Sequence, residues 1–224
     1  MSTPLRLVLF DVDGTLVDSQ GSIVSAMNAC FQALSLPVPT REATLSIVGL
    51  SLPQAMARLA PDQSAQVQAQ LVEGYKQAYH AQRLQQGVTS SPLYPGARAV
   101  IEALHATPEI LLGVATGKSQ RGLDALLEGH GLQHYFVTRQ VADHHPSKPH
   151  PSMIETALAE TGVAPADAVM IGDTSYDMDM AAAAGIASIG VSWGYHDHTA
   201  LHRANRVIDA FEQLPQTLTE LWDQ

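Results

Sequence analysis

The chain has 224 residues, 46% hydrophobic and 15% charged, which excludes a disordered or fibrous polymer and suits one large domain or two smaller ones. Twenty-two acidic against twelve basic residues leave a formal charge of −10. That excludes a broad basic face for nucleic acid or anionic membrane, though not a locally basic pocket for an anionic substrate. The single cysteine, Cys30, excludes an intrachain disulfide, and no secretory leader or long apolar span is recognisable; a reducing cytoplasm is the expected setting.

In chain order, the first apolar run is Leu7-Val8-Leu9-Phe10, short and unbroken as expected of a strand buried on both faces. It ends in Asp11 and Asp13, followed by Gly14 and Thr15. Two acids at the tip of a buried strand must be neutralised, because an unpaired buried carboxylate is costly or changes its pKa. A divalent cation is the simplest neutraliser; a surface turn capped by Asp11, with Gly14 at positive φ, is the bland alternative.

From Ser19 to about Leu34, Ile23, Met27, Cys30, Phe31 and Leu34 recur at helical spacing, and Cys30 reads as a small core residue. Pro37 and Pro39 stop that helix, and Thr40 is an N-cap candidate. Between Thr40 and about Gln86, Ala and Gln dominate, and Gly49, Pro53 and Pro61 are expected to divide the stretch into short amphipathic helices. Residues 19–86 thus read as an all-helical insertion in a strand-bearing remainder, 1–18 and 87–224.

Beyond Gly87 strands and helices alternate. Helix 96–106 follows Pro95-Gly96; strand 110–116 ends in Thr116, with Ser119 capping the next helix; 136–139 is a shorter strand. A helix from Ser152 to Glu160 is closed by Gly162, strand 168–172 runs into Asp173, and a helix from about Tyr176 is closed by Gly185. Strands at 187–191 and 207–208 and a helix at 211–222 complete the chain. This alternation implies βαβ units in a doubly wound, Rossmann-like parallel sheet, whose ligands sit at the carboxyl ends of the strands. Asp11, Thr116 and Asp173 each end an apolar run and should meet at one crevice. Lys148, in a loop stiffened by Pro149 and Pro151, is expected to join them. With Asp13 and Asp177, the set offers hard oxygen donors and no histidine at metal-site spacing, which selects Mg²⁺ over Zn²⁺.

Four motifs, DVDGT at 11–15, VATGKS at 114–119, SKPHP at 147–151 and GDTSYDMDMA at 172–181, together resemble those of the haloacid dehalogenase-like hydrolases, in particular the phosphoglycolate phosphatase-like branch. Tyr94-Pro95-Gly96 and the position of the insertion are similar to that branch too. The resemblance implies that the insertion is a cap domain and that the chain is a phosphatase of small phosphorylated metabolites. It implies Asp11 as nucleophile and Asp13 as acid and base. Mg²⁺ would be held by Asp11, the Asp13 backbone carbonyl, Asp173 and, through water, Asp177. Thr116 and the Gly117 amide would bind phosphate oxygens, and Lys148 would neutralise charge between Asp11 and phosphate.

Each assignment has a plainer competitor. Asp177 suits a helix N-terminus, and Thr116 an N-cap. Lys118 and Arg121 read as solvated, with Lys118 a possible substrate contact. His144, His145 and His150 fit no regular ligand spacing and read as surface or supporting residues; His196, Asp197 and His198 lie near the crevice edge. Specificity is expected to lie in the insertion, with Gly49-Leu50-Ser51, Arg41, Arg58, Tyr75 and Lys76 as candidates to reach inward and segments 16–20 and 87–95 as hinges. The resemblance suggests 2-phosphoglycolate, yet the insertion displays no obvious second anion site. Rival readings are a pyrophosphatase or a sugar-phosphate mutase of the same superfamily and, from another class, a phospho-Asp receiver domain. The mutase reading is weakened because Ser19-Gln20-Gly21-Ser22 has no histidine.

Overall fold

The computed structural model describes residues 4–223. Among them, six strands form one parallel sheet in the order β3-β2-β1-β4-β5-β6. They are β1 (Arg6–Phe10), β2 (Ile110–Thr116), β3 (Phe136–Val141), β4 (Ala168–Gly172), β5 (Ala187–Val191) and β6 (Arg206–Ile208). The helices are α1 (Gln20–Ala33), α2 (Arg41–Ser46), α3 (Leu52–Leu59), α4 (Ala65–Gln86), α5 (Ala97–His105), α6 (Gln120–His130), α7 (Ser152–Thr161), α8 (Ser175–Ala184) and α9 (Leu214–Trp222).

Strand β1 is central because alternate side chains enter two different cores. Val8 and Phe10 pack with residues of α5, α6 and α9, while Leu7 and Leu9 pack with α7 and α8. All four are fully buried, and each such side chain contributes about 2 kcal/mol. The strand order reverses between β1 and β4, so the carboxyl ends of β2, β1 and β4 lie side by side. This is where an open parallel sheet places its ligand.

Helices α1–α4 lie between β1 and the remaining strands and have a core of their own, built from Met27, Phe31, Leu50, Met56 and Leu71 among others, with Cys30 buried in it. Thr40 caps α2 by accepting from the Ala43 amide. The expected run of short helices is corrected here: α4 is a single helix of 22 residues. Its Ala and Gln residues are good helix formers, no proline interrupts it, and Gly74 lets it approach α1, since a Cβ there would lie 3.1 Å from the Cys30 Cβ. Pro53 sits in the first turn of α3, where its missing N–H costs nothing.

The two connections to this helical part are hydrogen-bonded to each other. Asp18 N donates to Pro92 O at 2.9 Å and Tyr94 N to Leu16 O at 3.0 Å, with Val17 bridging Leu93 in antiparallel fashion. Strand β3 runs two residues further than expected; Gln140 is tolerated there because its side chain donates to Thr138 and Glu160. No helix of the described residues is long and apolar enough to cross a membrane.

Candidate active site

The strand ends assemble a buried charged cluster. Asp11, immediately after β1, is 1% exposed, and Lys148, Asp173 and Asp177 are each 0% exposed. Lys148 comes from the loop between β3 and α7, and its Nζ stands 3.0 Å from Asp11 Oδ1 and 2.6 Å from Asp177 Oδ1. Asp11, Asp173 and Asp177 each offer an oxygen within 4.8 Å of the others.

Asp173 is held from four directions. Thr15 Oγ1 donates to its Oδ1 at 2.9 Å, and the Tyr195 amide to its Oδ2 at 2.8 Å. A Cβ on Gly14, whose φ is +84°, would fall 2.2 Å from Oδ2, and one on Gly194 would fall 2.0 Å from the Asp173 Cβ. Both positions therefore require glycine. Asp177 does two things at once: it closes a capping box with Thr174 at the start of α8 and binds Lys148. The expected helix-terminus role and its membership of the cluster coexist.

Three clustered carboxylates share a site with one ammonium, which pairs with two of them, and the electrostatics show the deficit. Burial, reinforced by Asp177 and Asp13 and opposed by Lys148, pushes the Asp11 carboxyl up to about 7. Burial, with Asp11 and Asp177, holds Asp173 well above the usual carboxylate range. Burial alone would lower Lys148, but Asp11 and Asp177 outweigh it and hold the ammonium above its ordinary value. Both Asp11 oxygens are buried without a hydrogen bond, since the Lys148 contact has the distance but not the alignment of one. A hard divalent cation fits this donor set: it offers a partner to the unmet oxygens and the missing positive charge.

Asp13 faces a second cation. Its Oδ1 is 2.9 Å from Lys118 Nζ and accepts from Ser19 Oγ. Lys118 is not solvated as expected: its side chain is 9% exposed, and its ammonium also donates to the Tyr79 hydroxyl of α4 at 3.2 Å. Ser119, accepting from the Gly122 amide, is the cap of α6, so Thr116 is not; its hydroxyl accepts from the Lys118 amide.

Thr116 and Gly117, with Asp11 and Asp13, line a cavity of about 190 Å³ beneath the helical part. Of the candidates to reach inward, Gly49, Leu50, Tyr75 and Lys76 line it. The others point elsewhere: Ser51 N donates to Ser147 Oγ, Arg41 binds Gln20, and Arg58 donates to the Tyr176 hydroxyl. At the cavity edge the His80 ring sits 2.8 Å from an Arg121 Nη and 3.2 Å from an Arg83 Nη. Two of the three, His80 and Arg83, belong to the insertion, and Arg121 joins them from 41 residues beyond His80. His145 is fixed between Ser152 and Gln140, His150 accepts from the Ser152 amide, and His196 packs on Tyr176. None of the three enters the carboxylate cluster.

Sequence reasoning missed Ser19, Tyr195 and the Trp193-Gly194 pair. Trp193 Nε1 donates to Thr15 O at 3.1 Å, and the Tyr195 hydroxyl accepts from Ser19 N at 2.8 Å. The signal available was their position just after β5, another strand carboxyl end.

Residues 8–191 match the family described as haloacid dehalogenase-like hydrolase. The chain is 37% identical over 216 residues to the "Probable phosphatase IndB" of Dickeya dadantii, covering 93% of this chain and 91% of that one. It is 29% identical over 225 residues to a phosphoglycolate phosphatase of Haemophilus influenzae, covering 96% and 98%. Among solved structures, a predicted phosphatase from Clostridium acetobutylicum superposes with a TM-score of 0.85 at 25% identity, covering 97% of this chain and all of that one. A reversed parallel sheet with carboxylates on neighbouring strand tips, helices set between its first two strands and this set of relatives lead to one conclusion: the chain belongs to the haloacid dehalogenase-like hydrolases, in the phosphoglycolate phosphatase-like branch.

Proposed function

We propose that the protein is a Mg²⁺-dependent phosphatase that hydrolyses a small phosphomonoester through an aspartyl-phosphate intermediate, acting on a phosphorylated metabolite in the cytoplasm. Residues 1–18 and 87–224 form its catalytic core and 19–86 its cap. The observation that carries the reading is Asp11: a buried carboxylate whose oxygens accept no hydrogen bond, beside Lys148 and open to the cavity that Thr116 and Gly117 line.

An Asp11 oxygen attacks phosphorus in line with the ester bond; the new P–O bond forms as the bond to the leaving alcohol breaks. Asp13 hands its proton to the departing oxygen. Water then loses a proton to Asp13 and attacks phosphorus, breaking the bond to Asp11 and releasing inorganic phosphate. Thr116 and the Gly117 amide bind phosphoryl oxygens, and Lys148 offsets charge shared between them and Asp11. Asp11, Asp13 through its backbone carbonyl, Asp173 and Asp177 would hold the cation, which when bound supplies charge neutralisation at phosphate.

Ser19 bonding to Asp13, with no histidine nearby in the sequence, favours hydrolysis over mutase chemistry. The receiver-domain reading gives way to the family match, which spans the helical insertion. The test is phosphate release from p-nitrophenyl phosphate, 2-phosphoglycolate and sugar phosphates, with Mg²⁺ and with EDTA. Multiple turnover that EDTA abolishes is expected; absence of turnover on every ester would overturn the reading.

A further inference from the structure

The cavity has two unlike walls. The sheet side presents Asp11, Asp13, Thr116 and Lys118, whereas the helical side presents Ile23, Met27, Leu50, Leu52, Ala55 and Tyr75, with Lys76, Tyr79, His80 and Arg83 as its polar members. Tyr75 stacks on Tyr79 with ring centroids 5.9 Å apart, which makes that wall partly aromatic. Among the described residues of the helical part that line the cavity, there is no Ser, Thr, Asn, Gln, Asp or Glu. Against the Ile23, Met27, Leu52 and Ala55 side chains, which offer no hydrogen-bonding group, a polyol would bury unpaired hydroxyls, and an unpaired buried hydroxyl is penalised. The cationic edge faces solvent, since Arg121 and Lys76 are exposed and Arg83 partly so, and both arginines already lie against the His80 ring. The whole cavity, phosphate end included, is about 190 Å³, which limits the alcohol to a compact body; an apolar cavity of about 150 Å³ takes up benzene.

Resting on the phosphatase reading, we infer that the preferred substrate is the phosphomonoester of a compact apolar, ring-bearing alcohol, rather than a phosphorylated hydroxy acid or sugar. The phosphate is held at the strand tips, and the alcohol's hydrocarbon body occupies the wall formed by Leu52, Met27 and Tyr75. Hydrolysis releases that alcohol and inorganic phosphate.

Benzyl phosphate, 2-phosphoglycolate and ribose 5-phosphate are all esters of primary alcohols, so comparing them reads the pocket more than the leaving group. With wild-type protein and Mg²⁺, kcat/KM for benzyl phosphate is expected to exceed both others by about tenfold or more, the scale on which apolar pockets discriminate. Leu52→Asn should lower the ratio of kcat/KM for benzyl phosphate to that for ribose 5-phosphate by about tenfold. Equal or faster hydrolysis of 2-phosphoglycolate or ribose 5-phosphate by the wild type would overturn the inference and leave the phosphatase reading standing. So would a Leu52→Asn loss that is equal for all three esters. No release from any of them, nor from p-nitrophenyl phosphate, would instead remove the phosphatase reading and the inference with it.

Discussion

The sheet-side and helix-side walls of the cavity differ in how their polar groups are satisfied. On the sheet side, Asp11 lines the cavity and rests on Lys148, and behind that surface Lys148, Asp173 and Asp177 are wholly buried with partners fixed by neighbouring loops. On the helix side, the lining is mostly hydrocarbon, and its cations gather at a hydrated edge. In a wall of interlocked buried charges each substitution leaves a partner unpaired, whereas an apolar wall can be repacked one side chain at a time at modest cost. The contrast separates a part suited to one reaction from a part suited to choosing among substrates.

The strongest way to break this contrast is at the sheet side. Asp11→Asn should cut multiple turnover by at least about a thousandfold with circular dichroism unchanged, and a rate within tenfold of wild type would remove the nucleophile assignment. Asp13→Asn should slow both single-turnover and steady-state rates by about 10²–10⁴-fold, the range of general acid–base catalysis; unchanged rates would end its proposed role. Lys148→Met leaves two buried carboxylates, Asp11 and Asp177, without their ammonium and should cost about 3–5 kcal/mol in urea unfolding of the metal-free protein. A loss below 1 kcal/mol, the range of a surface pair, would contradict that burial.

A smaller effect concerns pH. Asp11 titrates near 7 in the fold, and Asp173 is also raised, while an unfolded aspartate titrates near 4. Between those values the unfolded chain is ionised and the folded one is not, so metal-free stability should fall as pH rises through that window. In EDTA the melting temperature should drop by about 2–4 °C from pH 5 to pH 8, Mg²⁺ should restore it mainly at pH 8, and Asp11→Asn should blunt the drop. Equal Mg²⁺ stabilisation at both pH values would refute the account. The smallest change is on the helix side: Thr40→Ala removes the α2 cap and should cost about 1 kcal/mol without altering kcat, and a kcat change would blur the division between the walls.

The sheet and its charged tips were legible because each buried strand is an unbroken apolar run that stops at a polar residue, as Phe10 does before Asp11 and Gly172 before Asp173. Asp11, Lys148, Asp173 and Asp177 meet as their positions at loops and strand ends imply. Less visible was α4, whose apolar positions are too sparse to mark a long helix without its partner α1. Nor could local pattern show that Lys118 turns inward, because that depends on Asp13 and Tyr79, far away in the chain. Ser19 and Tyr195 meet across 176 residues, a contact that only the assembled sheet creates.

The paired connections at Leu16–Asp18 and Pro92–Tyr94 act like a strap folded double. Such a strap flexes in one plane, but sliding or twisting would tear its rungs. The strap lies next to Asp13, which Val17 bridges, and to Ser19, which holds the Asp13 side chain, so a swing of the helical part about it would turn beside Asp13. If the helical part opens as the proposed cap and Asp13 acts as the proposed proton donor, the two share one joint, and admitting a molecule and readying Asp13 are one movement.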